Sequence, residues 1–439
     1  MKNFSIKENL ILEKILYLGR KIIPRPIFNF FQPFYHLFLS MIAATWYGFP
    51  SKKLMVIGIT GTNGKSTVVH LITEILESTG YKVASISSIK FKINKKEWPN
   101  MLKMTIPGRF KLQKFLRQAV KSGCKYAILE VTSEGIKQYR HRFIDFNGVV
   151  FTNLTKEHIE AHKGFENYKK AKGKLFKALG KSKKKNKFSV INIDDKYADY
   201  FTNLFKGKKY TYGIDNKKAQ IRPDNIKLKT QLLGKFNIYN SLAAVCVGLS
   251  QNIELDKILA VLKNIKGIPG RMELVIKEPF KVFVDYAHTP DSLTKVYQTL
   301  QDSKFKIQDS NLICVFGSCG GGRDKWKRPE LGKIASQYCN KIILTNEDPY
   351  NENPLSILEN IEKGFSSIFN FQFSISNYEK ILDRRKAINK ALSWAKKDDI
   401  VIITGKGCEP WICVAEGKKI PWDDRGVVRE EFKKIIQGS

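Results

Sequence analysis

Residues 61–67, Gly61-Thr62-Asn63-Gly64-Lys65-Ser66-Thr67, stand between the apolar run LMVIGIT and the amphipathic run VVHLITEIL, and no other stretch restricts the fold so tightly. A strand that ends in a glycine-rich turn and restarts as a helix aims its backbone N–H groups and the positive end of the helix at one place, which is a phosphate cradle. Lys65 would neutralise phosphate charge there, and Ser66 could hold Mg²⁺. The string departs from the strict GxxxxGK[ST] pattern, because Ile59 occupies the position of the first glycine. It therefore predicts nucleotide binding only together with its strand and helix.

Further short apolar runs follow, each before a longer amphipathic one: KVASISSI, YAILEVTS, GVVFTNL and FSVINID. A second set, KVFVDYA, NLICVFGS, KIILTNE and DIVIITG, begins after Pro269-Gly270-Arg271. This alternation predicts an α/β fold: a central P-loop ATPase domain with a parallel sheet over residues 51–270, then a C-terminal Rossmann-like α/β domain over 271–439. Residues 1–50 read as a short apolar and basic helical segment. No formally charged side chain lies between Arg25 and Lys52, yet Asn29, Gln32, Pro33 and His36 leave an uninterrupted apolar core of only about a dozen residues, too short for a spanning helix. Two readings remain open, a helix docked on the next domain and peripheral membrane contact through residues 20–53.

The 439-residue chain has a formal net charge of +35. Nucleic acid, an acidic membrane or anionic substrates would all suit such a field. The excess lysine runs over 181–187 and 206–209 without interleaved aromatic residues to stack on bases, so solvated basic faces are the plainer reading and no nucleic acid is expected. Seven cysteines, an odd number, lie at scattered positions without a CxxC pair, which favours a reducing cytoplasm.

The loop ITGTNGKST resembles that of the Mur ligases. So, in order, do EVTSEGIKQYR, FTNLTKEHIEAH, NYKKAKGKLF, GKFNIYNSLAA, IPGRME, DYAHTPDSL, FGSCGGGRDKWKRP, EDPYNENP, GKGCE and DDR. The set is most similar to the MurE type, which adds the third amino acid to a UDP-linked muramoyl dipeptide. The resemblance implies a family member that lacks the usual N-terminal UDP-binding domain before the loop.

The resemblance implies ATP, two Mg²⁺ ions, a muramoyl-peptide precursor and an amino acid as ligands. Gly61, Thr62, Asn63, Gly64, Lys65, Ser66 and Thr67 would hold the phosphates. Asn237 and Asn240 would place the adenine, and Asp285, His288 and Arg323 would reach the nucleotide from the second domain. Glu130, at the carboxyl end of a strand where parallel sheets bind ligands, would join Ser66 at the first metal ion. His158 would ligate the second, although Glu157 precedes it where the family usually shows Asp. Lys172 matches a lysine that the family carbamylates with CO₂, and a carbamate can meet a cation as an ammonium cannot; its lysine-rich surroundings also permit a plain solvated face. Lys65, Lys172 and His158 are thus the candidate catalytic residues.

On the acceptor side Thr105, Thr132, Gln138 and Arg140 match positions that face the sugar and dipeptide, with Ile106 and Glu134 departing from the usual pattern. For the amino acid, Arg328 would hold the α-carboxylate, and Asp348, Gly405 and Glu409 would line the pocket. Tyr350 replaces the arginine of the DNPR string that clamps the distal carboxylate of diaminopimelate, so a diamino acid such as L-lysine is expected. A folylpolyglutamate- or cyanophycin-type ligase, a ligase for a lipid-linked precursor, and a non-catalytic nucleotide- or nucleic-acid-binding protein are the competing readings. The oligomeric state is not legible.

Overall fold

The computed structural model describes residues 25–102, 104–302, 310–365 and 377–438. Two large sheets carry the fold. In the first, strands β1 (Met55–Thr60), β2 (Val83–Ile86), β3 (Lys90–Ile93), β4 (Lys96–Pro99), β5 (Tyr126–Glu130), β6 (Gly148–Phe151), β7 (Phe188–Asn192) and β8 (Lys208–Tyr212) take the order β4-β3-β2-β5-β1-β6-β7-β8. From β2 across to β8 the pairing is parallel, and at one edge β3 pairs antiparallel with both β2 and β4. Strands such as β5, β6 and β7 are buried along their whole length, as expected when helices cover both faces of a parallel sheet.

Helices Lys65–Ser78 and Lys235–Ser250 pack together on one face, where Val68, Leu71, Ile72, Leu242 and Val245 share a core with Ile57 and Ile128. Helices Arg109–Lys121 and Phe165–Lys181 fill the other, with Leu112, Leu116, Leu175 and Phe176 against Val56, Leu129 and Val149. The second sheet consists of β9 (Glu273–Ile276), β10 (Lys281–Val284), β11 (Leu312–Phe316), β12 (Lys341–Leu344), β13 (Tyr378–Lys380) and β14 (Ile400–Ile403), in the order β13-β12-β11-β14-β10-β9. It is parallel except for β9. A small hairpin of β15 (Trp411–Cys413) and β16 (Lys419–Pro421) follows.

The N-terminal segment is helical over Arg25–Trp46 and docks against helix Arg109–Lys121; the Ser40 hydroxyl donates to the Tyr139 carbonyl at 2.9 Å. Its outward face shows Phe38, Met41 and Trp46 to solvent. Among the described residues no helix is long and apolar enough to cross a membrane. Residues 20–24 of the span expected to touch a membrane lie outside the described residues.

Cys314 on β11 and Cys339, two residues before β12, are joined in a disulfide. Their strands are parallel neighbours, an adjacency that a separation of 25 residues in sequence does not reveal.

Candidate functional site

Sheet order reverses around β1: the chain passes from β1 to β2 on one side and returns through β5 to β6 on the other. Such a switch point opens a crevice at the carboxyl ends of the strands. Here the crevice is one cavity of about 1560 Å³ whose walls come from both large sheets.

The loop after β1 lines its floor. Gly61 has φ 151° and Gly64 φ 83°, and a Cβ would fall 1.9 Å from Thr152 Oγ1 at the first and 2.3 Å from Asn240 Oδ1 at the second. Glycine is therefore required at both by space, and at Gly64 also by the left-handed backbone. Gly64 caps helix Lys65–Ser78 without a side-chain bond, so the first-turn N–H groups stay available for an anion. Asn153, just past β6, holds the loop by accepting from the Thr62 and Asn63 N–H groups, both at 2.9 Å. The Lys65 ammonium donates to the Thr62 carbonyl at 2.6 Å, and burial lowers its pKa.

Glu130 ends β5 fully buried, accepting from Ser66 Oγ at 2.7 Å and from the N–H and hydroxyl of Ser88 at 2.9 and 3.1 Å. A carboxylate beside a hydroxyl suits a hard cation such as Mg²⁺, so the donor set fits that ion. Lys172 is buried on the inward face of helix Phe165–Lys181, its ammonium 2.6 Å from the Gly61 carbonyl and 4.5 Å from the Tyr168 ring centroid. Desolvation, and then the nearby Lys65 charge, push its pKa well below the ordinary lysine value. The plain solvated-face reading of Lys172 is thereby excluded. His158 occupies a left-handed turn, φ 56°, with its Nδ1 3.4 Å from Arg323 Nη1. Burial, followed by the Arg323 charge, holds its imidazole neutral.

Most of the other expected residues also reach the cavity. Thr105 shares a hydrogen bond with Ser88 at 2.9 Å, and Thr132 caps helix Ser133–Lys137 by accepting from the Gly135 N–H. Gln138 Oε1 accepts from Arg140 at 2.7 Å, while Arg140 also donates to the Ile106 carbonyl. Burial and then the charge of Arg109 lower the Arg140 pKa to about 10. From the second sheet, Asp285 anchors the turn after β10 by accepting from the Met272 and Ala287 N–H groups at 2.7 and 2.6 Å. The His288 Nδ1 meets the Tyr286 carbonyl at 2.8 Å, and burial lowers its pKa to about 3. Thr67 lines the wall behind Ser66.

Three expected residues do not face the cavity. Asn237 is buried, donating to the Leu233 carbonyl and accepting from Asn240, so of the adenine pair only Asn240 lines the wall. Arg328 is fully buried and forked on Glu352 at 2.6 and 2.9 Å, which occupies the guanidinium expected to hold an α-carboxylate. Gly405 lies behind Glu347, where a Cβ would fall 2.7 Å from Glu347 Oε2. Asp348 does line the cavity, but both its oxygens accept from the buried Lys406 ammonium, at 3.0 and 2.9 Å. Lys406 also reaches Glu409 at 2.6 Å, and Tyr286 donates to the other Glu409 oxygen at 3.1 Å.

Sequence reasoning passed over Ser88, Glu157, Tyr168, Lys327 and Glu347, all of which line the cavity. Ser88 follows β2 in the way Glu130 follows β5, and that strand-end position was a readable signal. Glu347 carries a raised pKa through burial, and its Oε2 is buried without a hydrogen bond among the described residues.

Comparison with known proteins agrees with this fold. The Mur ligase middle domain matches residues 59–248, and the Mur ligase glutamate ligase domain matches residues 270–407. A UDP-N-acetylmuramoyl-L-alanyl-D-glutamate–2,6-diaminopimelate ligase of Bacillus cereus is 37% identical over 413 residues, 89% of this chain and 81% of that protein. One from Clostridium acetobutylicum is 36% identical over 419 residues, 91% and 82% of the two chains. A solved structure of a ligase with the same title superposes with a TM-score of 0.58 at 29% identity, covering 92% of this chain and 83% of that one. At 14% identity, a folylpolyglutamate synthase of Mycobacterium tuberculosis shares the fold with a TM-score of 0.64, over 84% and 91%.

Proposed function

The chain belongs to the Mur ligase family of ATP-dependent amide ligases, and from that premise we propose that it extends a muramoyl-dipeptide carboxylate by one diamino acid through an acyl phosphate. The observation that carries this reading is the single cavity in which the phosphate loop, Glu130 and Lys172 of the first sheet face Glu347 and Glu409 of the second.

The acceptor carboxylate attacks the γ-phosphate of ATP, held by the loop amides and Lys65, and becomes a bound acyl phosphate while ADP departs as the leaving group. Ser66, Glu130, His158 and a carbamylated Lys172 would hold Mg²⁺, two ions in all, which supply positive charge to the transferring phosphoryl group. Carbamylation requires a neutral amine as nucleophile, and the burial of Lys172 favours that form. Arg140, Gln138, Thr105 and Thr132 orient the acceptor. The incoming amine then attacks the acyl carbon, and the tetrahedral intermediate expels phosphate.

For the amino acid we favour a distal ammonium, as in L-lysine. Tyr350 replaces the clamping arginine, and Glu347 and Glu409 line the same wall of the cavity. The relatives named as diaminopimelate ligases support the second reading, a distal carboxylate as well as an amine. Phosphate release from ATP with Mg²⁺ and UDP-muramoyl-alanyl-glutamate, run with lysine or diaminopimelate, decides between them. Turnover with lysine alone is expected; turnover with diaminopimelate alone refutes the preference, and silence with both redirects the search to another acceptor, such as a lipid-linked one.

A further inference from the structure

The segment after β11 lines the cavity and grips the turn that carries His158. The Asp324 carboxylate accepts from the N–H groups of Ile159 and Glu160, both at 3.0 Å, and the Lys325 N–H donates to Glu160 Oε1 at 2.8 Å. Lys327 Nζ lies 3.0 Å from Glu157 Oε1, with both side chains almost wholly buried. Glu157, His158, Ile159 and Glu160 follow β6 of the first sheet; Asp324, Lys325 and Lys327 belong to the second.

We propose that Asp324 and the Glu157–Lys327 pair are positioning residues that set the His158 turn only when the two sheets close, so that closure and the seating of His158 are a single event. The turn is poorly supported by its own sequence. His158 is a non-glycine residue in left-handed backbone, and its side chain does not cap the short helix Ile159–His162 that follows. The acceptors for the first N–H groups come instead from across the interface. The ion pair makes the contact all-or-none. If the sheets part, a buried carboxylate and a buried ammonium lose each other, and a half-open state that keeps either out of water without its partner is strongly disfavoured. Glu157 is the more exposed to this penalty, because its Oε2 is buried and makes no hydrogen bond among the described residues. None of these groups has to touch the reacting atoms. They act through the place they give His158.

The test is amide hydrogen exchange on the full chain with ATP and Mg²⁺, read at Ile159 and Glu160, beside steady-state turnover. Asp324→Ala is expected to speed exchange at these two amides about tenfold or more, while the amides of β1 stay as protected as before. It should lower kcat by about tenfold or more and leave KM for ATP within about twofold. Asp324→Asn keeps one acceptor oxygen and should lose less. Combining Asp324→Ala with Lys327→Met should cost little more than either change alone, because both act through the same closed state. Wild-type exchange at Ile159 and Glu160 in Asp324→Ala would overturn the proposal, as would losses in the double variant that simply multiply. The exchange arm needs only ATP and Mg²⁺, so it holds whichever amino acid is the substrate, and Lys327→Met supplies the same reading if Asp324→Ala does not fold.

Discussion

Arg384 is nearly inaccessible, and Asp424 wholly so. The guanidinium forks onto the carboxylate at 2.8 and 2.7 Å and also donates to the Thr404 carbonyl at 2.8 Å and the Asn346 carbonyl at 3.3 Å. Arg384→Met keeps much of the volume but leaves the Asp424 charge buried, with Trp422 Nε1 as its remaining side-chain donor. Breaking one side of a buried pair costs about 3–5 kcal/mol. A domain of 150–250 residues loses roughly 2–4 °C per kcal/mol, so the melting transition should fall by about 6–20 °C. Calorimetry on the variant, and on the Arg384→Met/Asp424→Leu double variant, measures this. The double variant should recover more than half of the loss, because two apolar side chains need no partner. Asn346 precedes Glu347 and Thr404 precedes Gly405, so the single variant should also raise KM for the amino acid more than KM for ATP. A shift below about 2 °C, or a double variant as unstable as the sum of its parts, would refute the reasoning.

Gly64→Ala forces a Cβ into left-handed backbone and to within 2.3 Å of Asn240 Oδ1, so ATP affinity measured by calorimetry should drop by about tenfold or more. Lys172→Met fills the same space without an amine. It should cut turnover by about a hundredfold or more and abolish any carbamate signal seen by NMR in ¹³C-bicarbonate, whereas an unchanged rate would remove Lys172 from the site. His141 is buried with its pKa lowered from 6.5 to about 3. The unfolded chain therefore takes up the proton first as pH falls, so this group's stability contribution is full above pH 6.5 and is lost progressively from there towards pH 3. That amounts to about 2 kcal/mol by pH 5, and urea unfolding of His141→Phe should show a correspondingly shallower acid limb.

The phosphate loop was legible because its chemistry is local. Seven consecutive residues, a strand before and a helix after suffice to aim amides at one point. Glu130 stood out at the end of an apolar run, whereas the roles expected of Glu130 and His158 came from the family resemblance. Strands β1, β2, β5, β6, β7, β10, β11, β12 and β14 showed as apolar runs, whereas β8, β9, β13 and the edge hairpin of β3 and β4 did not, since they are short or interrupted by exposed charged residues such as Lys208, Lys380, Lys96 and Glu97. Lys172 was ambiguous among its lysine neighbours until the helix was placed. Its register with Tyr168, Leu175, Phe176 and Leu179 turns it inward, and desolvation then changes its protonation.

Pairing across the fold was not legible at all. Arg328 has the right side chain for a substrate carboxylate, yet Glu352, 24 residues on, occupies it. Glu157 and Lys327 stand 170 residues apart and meet only because two sheets face each other over one cavity. The sequence by itself determined which groups are candidates to bind phosphate and cations, since that depends on residue type and short-range backbone geometry. Only the tertiary structure decided which charges remain available to a ligand and which are spent on one another, because Coulomb energy and desolvation depend on distance and burial rather than on order along the chain.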